Sequence, residues 1–142
     1  MKKIITLLTL VALGIPAFAQ NLQQDKIAPP RQNKEQVEPV DVVLQRLAAF
    51  RLFVTFCVES SSINFSDEGV DKFTEKTATQ LKSSGKSTEE LSSIFKAQIA
   101  LEAKKQEQFV QEHHLDQTGW CKLQQKVWTA HGYGELFETG EK

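Results

Sequence analysis

The chain has 142 residues, 40% of them hydrophobic and 25% charged, with a formal net charge of −1. That length holds a single domain with one core. No run of like charge occurs, which excludes the clustered Lys and Arg that nucleic acid or an anionic membrane surface rewards.

Met1-Lys2-Lys3 opens the chain with a short positive segment, followed by an apolar run from Ile4 to Ile15. Pro16 ends that run, and Ala17-Phe18-Ala19 puts small residues where a signal peptidase reads. This three-part pattern predicts a secretory signal peptide over residues 1–19, cleaved between Ala19 and Gln20. The apolar run is about twelve residues, short of the roughly twenty that a spanning helix needs. No second stretch is long enough to span, so no integral membrane segment is expected after processing. The two-lysine start suits a bacterial signal, and the expected location is periplasmic or secreted. Cleavage removes Lys2 and Lys3 and no acid, which takes the net charge to −3. It also removes the only methionine. Methionine-based copper sites and His/Met haem ligation are thereby excluded. Cys-x-x-Cys and Cys-x-x-Cys-His are absent too, which excludes the usual thiol oxidoreductase, zinc-ribbon and c-type haem readings.

Residues 20–39 are rich in Gln and hold three of the four prolines. Too little apolar surface is present to offset the entropy of ordering, so a disordered leader or linker is expected. A single helical domain over residues 40–142 is expected to follow. Its first helix starts after Pro39, with Val40, Val43, Leu47, Phe50, Val54 and Cys57 at helical spacing and Leu44 and Ala48 widening the stripe. Residues 52–58 are also strong strand formers, so the alternative is an α+β fold with a short buried strand there.

Ser66-Asp67-Glu68 predicts the start of a second helix with Val70, Phe73, Thr77 and Leu81 inward. Gly85 suits the left-handed position beyond its end. Ser87-Thr88-Glu89-Glu90 reads as a capping box opening a long helix over about residues 88–112. Leu91, Ile94, Phe95, Ile99 and Leu101 are expected to face in. Residues 102–108 then lose almost all apolar character, so the helix there crosses solvent or faces a partner. Asp116 to Gly119 reads as a break before a shorter fourth helix. That helix carries Trp120, Leu123, Val127 and Trp128 on one side and ends at Gly132. A tail bearing Tyr133 and Phe137 is expected to fold back.

The whole reads as an all-α, small antiparallel bundle of about four helices with one disulfide. Cys57 ends the first helix and Cys121 begins the fourth; in an up-down-up-down bundle these ends share a pole. A bridge between them suits an oxidising compartment.

Catalytic or cofactor chemistry finds no pattern. Adjacent His113 and His114 point about 100° apart on a helix and do not share a metal easily. Neither they nor His131 follow a Glu by three residues, as an inward-facing bundle metal site needs. No Gly-x-Ser-x-Gly elbow occurs. No metal, cofactor or catalytic residue is therefore assigned. The expected function is a protein-binding module of the bacterial envelope, such as an effector-neutralising or accessory subunit. Lys104, Lys105, Glu107, Tyr133 and Phe137 are its candidate contact residues, and a second copy of the chain is an admissible partner. One alternative is a carrier of a small apolar ligand, with Phe50, Phe53, Phe56, Phe73 and Phe95 lining its cavity. Another is an enzyme using acids that no spacing rule reveals.

Overall fold

A computed structural model of the chain describes residues 29–30, 37–59 and 63–139. The predicted signal peptide lies outside these residues, as does most of the predicted leader. The described residues form four helices: α1 (Val40–Cys57), α2 (Asp67–Ser83), α3 (Thr88–His113) and α4 (Gln117–Trp128). The fold is the all-α bundle expected. Residues 52–57 are helical, so the buried-strand alternative is not the structure. Strand-like apolar residues stay helical here because Phe53 and Cys57 bury one face of the α1 terminus against the rest of the core. Among the described residues, no helix is long and apolar enough to cross a membrane.

Each helix start follows its local chemistry. The Ser66 hydroxyl accepts from the Gly69 N–H at 3.2 Å, and the Ser87 and Glu90 pair forms a complete capping box. The Asp116 carboxylate accepts from the Gly119 N–H at 2.7 Å. Residues 117–119 are therefore the first turn of α4 and not a break, because a capped N-terminus tolerates a glycine whose N–H is satisfied. Pro39 precedes α1 without a side-chain cap, and its carbonyl accepts from Val42 and Val43.

Helix α1 is central. Its most extensive packing is with α3, and α2 and α4 flank it. Phe50 meets Phe73 at 4.5 Å between ring centroids, while Gln80 further along α2 reaches Glu38 just before α1. Those pairs run α2 antiparallel to α1. Cys57 bonds Cys121 while Phe50 meets Trp128 at 5.7 Å, so α4 is antiparallel to α1 as well. The buried face of α1 comprises Val43, Leu44, Arg46, Ala48, Phe50, Phe53 and Cys57. Leu47 and Val54, expected on the central stripe, are half-buried instead. The stripe is rotated by one residue, onto Arg46 and Phe53.

Beyond α4 the chain widens into a π-helical turn (Thr129–Tyr133) and then tightens into a 3₁₀ turn (Gly134–Leu136). Gly132 makes the reversal at φ 94°, a conformation that side chains with a Cβ rarely adopt. The tail folds back as expected. Leu136 accepts from the Ser66 N–H, Glu138 donates to Asn64, and Phe65 and Phe137 form an isolated antiparallel bridge. The tail lies so close to α2 that a Cβ on Gly69 would stand 1.8 Å from the Glu135 carbonyl oxygen.

Two residues in the middle of the expected leader, Pro29 and Pro30, are described. Pro29 is fully buried, and the Pro30 carbonyl accepts from the Tyr133 hydroxyl at 2.8 Å and from Arg46 Nε at 3.3 Å. At these residues the chain is packed, because polar side chains of the bundle supply the partners that its own composition does not.

Candidate functional site

The disulfide forms as predicted. Cys57 and Cys121 are bonded, with their Cα atoms 5.7 Å apart and both residues fully buried. No free cysteine exists among the described residues. The bridge sits in the same cluster as Phe53, Phe109, Trp120 and Trp128. A sulfur pair so enclosed acts as a staple, since a thiolate needs access before it can attack.

The five candidate contact residues divide. Lys104, Lys105 and Glu107 are exposed on α3. Lys105 also donates to the Glu102 carboxylate at 2.8 Å. Tyr133 and Phe137 are 1% and 6% exposed, against the expectation of surface contacts. Tyr133 packs edge-on against Trp128 and Phe73, and burial pushes its hydroxyl pKa well above the ordinary value. The reversal at Gly132 turns its ring inward, and its hydroxyl is held by the Pro30 carbonyl. Trp120 and Trp128 are core, as their helical spacing predicted.

Helix α3 departs from the expected pattern in a useful way. Only Glu102 and Phe109 are buried along its 26 residues. Leu91, Ile94, Phe95 and Ile99 are half-buried, and Leu101 is 54% exposed. Ile94 and Leu101 stand seven residues apart, two turns along one line of the helix. The polar stretch meanwhile turns Glu102 inward, where it accepts from Gln45 on α1 at 3.2 Å. The helix thus presents apolar side chains outward and a carboxylate inward over the same turns.

Two polar clusters were not foreseen. In the first, Arg46 on α1 is 3% exposed and forms a two-pronged ion pair with Glu38, itself 7% exposed. Gln80 adds a bond to the same carboxylate, and the Arg46 guanidinium lies over the Tyr133 ring at 5.7 Å. The signal for this cluster was a charged residue three past Val43 and four before Phe50, within an apolar stripe. In the second, a cleft of about 20 Å³ lies between Ala49, Leu52 and Phe53 of α1, Glu102, Lys105 and Gln106 of α3, and Trp120 and Gln124 of α4.

The phenylalanines named for a carrier cavity pack on one another or on neighbours. Phe50, Phe53 and Phe73 all touch Trp128, and Arg51 lies over Phe95. Small-molecule sites run to roughly 300–1,000 Å³. His113 stacks on Phe109 at 4.0 Å and its Nδ1 lies 3.0 Å from the Phe109 carbonyl, so that nitrogen carries the proton. No group of three or more His, Cys, Asp or Glu among the described residues is placed to hold a metal ion. No family model, curated protein or solved structure matches the chain.

Proposed function

We propose that the protein is an exported protein-binding module of the bacterial envelope whose contact surface is the outer face of α3. The observation that carries this is Leu101, more than half exposed on a line with Ile94, flanked by exposed Lys104 and Glu107. An apolar centre with a charged rim is the arrangement that protein interfaces favour. Aromatic rings fill the interior and a buried disulfide fixes two helix ends. Export rests on the signal pattern of residues 1–19, and a bridge between the two cysteines suits that destination.

Native mass spectrometry of the protein purified from its own compartment tests this reading. The expected spectrum contains a stoichiometric complex with a second polypeptide, lost when Leu101 is replaced by Glu. A bare monomer under the same conditions refutes the binding role. A complex that survives L101E refutes the assignment to α3.

A further inference from the structure

Helix α3 finds its principal packing partner in α1, and its other side is open to solvent over several turns. Glu90, Ser93, Ala97, Ala100, Leu101 and Lys104 are all exposed. At about 100° per residue, these six lie within an arc of roughly 100° around Ala97. Glu102 and Phe109, the two buried residues of the helix, stand on the opposite side. The exposed face has an order along its length. Glu90 marks its N-terminal end and Lys104 its C-terminal end, while Ser93, Ala97 and Ala100 keep the middle low beside Leu101.

Glu90 and Lys104 each lie seven residues from Ala97, two turns to either side. That spacing makes the face complementary to itself. When a second α3 is laid antiparallel with Ala97 against Ala97, Glu90 of each copy meets Lys104 of the other, and two opposite-charge pairs form. Leu101 then falls over the partner's Ala97 and Ile94, and Ala100 over the partner's Ser93. Small side chains at the crossing let the helix axes approach to the roughly 8–10 Å of packed helices. A parallel pairing in the same register sets Glu90 against Glu90 and Lys104 against Lys104, which repels. The Glu90 carboxylate accepts from the Ser87 N–H through one oxygen, and with about four lone-pair sites it has room for a lysine as well.

We infer that the outer face of α3 pairs antiparallel with α3 of a second copy of this chain, centred on Ala97, with Leu101 in the seam and a Glu90–Lys104 pair at each end. This rests on the reading of that face as the contact surface, and it names the partner. The interface is isologous, as a two-fold dimer requires. Exposed ion pairs contribute little affinity, so the charges fix orientation and partner choice while Leu101 supplies the apolar contact. One helix face is a small interface, and the dimer is accordingly reversible.

Sedimentation equilibrium of the oxidised protein at low salt is the test. The wild type should pass from monomer to dimer below about 1 mM. Glu90→Lys and Lys104→Glu should each weaken self-association about tenfold or more, since each sets like charges together at both ends. An equimolar mixture of the two variants should regain the dimer, because E90K then offers two lysines to the two glutamates of K104E. A monomer at every concentration overturns the inference, and so does a mixture no more associated than either variant alone. A wild-type monomer that forms a complex with a different polypeptide, lost in L101E, overturns the second copy as partner and leaves the contact surface standing. A dimer untouched by L101E overturns both. Glu90 also caps α3, so circular dichroism must show E90K folded. Should it not fold, K104E must weaken the dimer more than Lys104→Gln does; equal effects overturn the charge pairing.

Discussion

The ion pair between Arg46 and Glu38 lends itself to a quantitative test, because both side chains are buried and specifically paired. Replacing Arg46 by Met keeps the volume of the side-chain stem and removes the charge. The variant loses both prongs to Glu38, the bond to the Pro30 carbonyl and the guanidinium over Tyr133. Glu38, 7% exposed, would keep the bond from Gln80 but lose the opposite charge that pairs with it. Breaking a buried pair from one side costs roughly 3–5 kcal/mol, mostly for the charge left behind. A typical domain has about 5–15 kcal/mol in total, so R46M should stand near its limit of stability. Removing both charges in R46M/E38M should be milder than the sum of the single variants, since the pair is lost only once. Urea unfolding followed by tryptophan fluorescence measures this, with the midpoint falling at constant slope. A cost below about 1 kcal/mol for R46M would place the pair in the class of exposed salt bridges and refute the reasoning. Simple additivity in the double variant would refute it as well.

Gly69→Ala should destabilise by at least about 1–3 kcal/mol, because its Cβ meets backbone of the tail and not a movable side-chain end; a wild-type melting temperature would contradict that. Replacing both cysteines by Ala should cost about 4 kcal/mol for a bridge whose cysteines are 64 residues apart. In the wild type, a mild thiol reductant should act no faster than the protein unfolds; faster reduction, followed by mass, would show the bridge is accessible. His114→Gly should stabilise by about 0.5–1 kcal/mol, since His114 holds φ 51° at the end of α3 and glycine adopts it without steric cost. Urea midpoints settle the sign. The Glu90 carboxyl is held below its usual value by hydrogen bonds from Ser87. Its stabilising contribution is therefore present above the unfolded value and lost as pH falls through the folded one. Glu90→Ala should flatten the acid limb of the stability profile, and an unchanged limb would count against the capping box.

What the sequence made legible was local or topological. Ser66, Ser87 and Asp116 cap their helices because a short polar side chain satisfies N–H groups within three residues, without help from the rest of the fold. The disulfide was legible because two cysteines fell at helix ends that a bundle brings together. What was missed depends on pairs far apart in sequence. Tyr133 bonds Pro30 across 103 residues, and Gln45 bonds Glu102 across 57. Neither pairing has a spacing rule, so Tyr133 read as a surface residue between glycines. Leu101 misled in the other direction. Hydrophobicity predicted burial, but Glu102 beside it takes the inward position, where Gln45 and Lys105 satisfy its charge.

Both unforeseen clusters place charge where an apolar side chain would have been cheaper in desolvation, and their positions suggest a common physical role. The core is dominated by rings: Phe50, Phe53, Phe73, Trp128 and Tyr133 meet at centroid distances of 4.5–6.1 Å over a range of interplanar angles. Such contacts are strong but weakly directional, so alternative packings of similar rings differ little in energy. Buried polar groups discriminate more sharply, since a shift of one residue leaves donors or charges unpaired. Arg46 ties α1 to the segment before it and, through Glu38, to α2. Glu102 ties α3 to α1 through Gln45. The disulfide sets the remaining pair, α1 against α4. Each helix is thus fixed to α1 by at least one contact that a sliding aromatic core could not satisfy, and Leu101 on α3 stays among the apolar side chains that the packing leaves exposed.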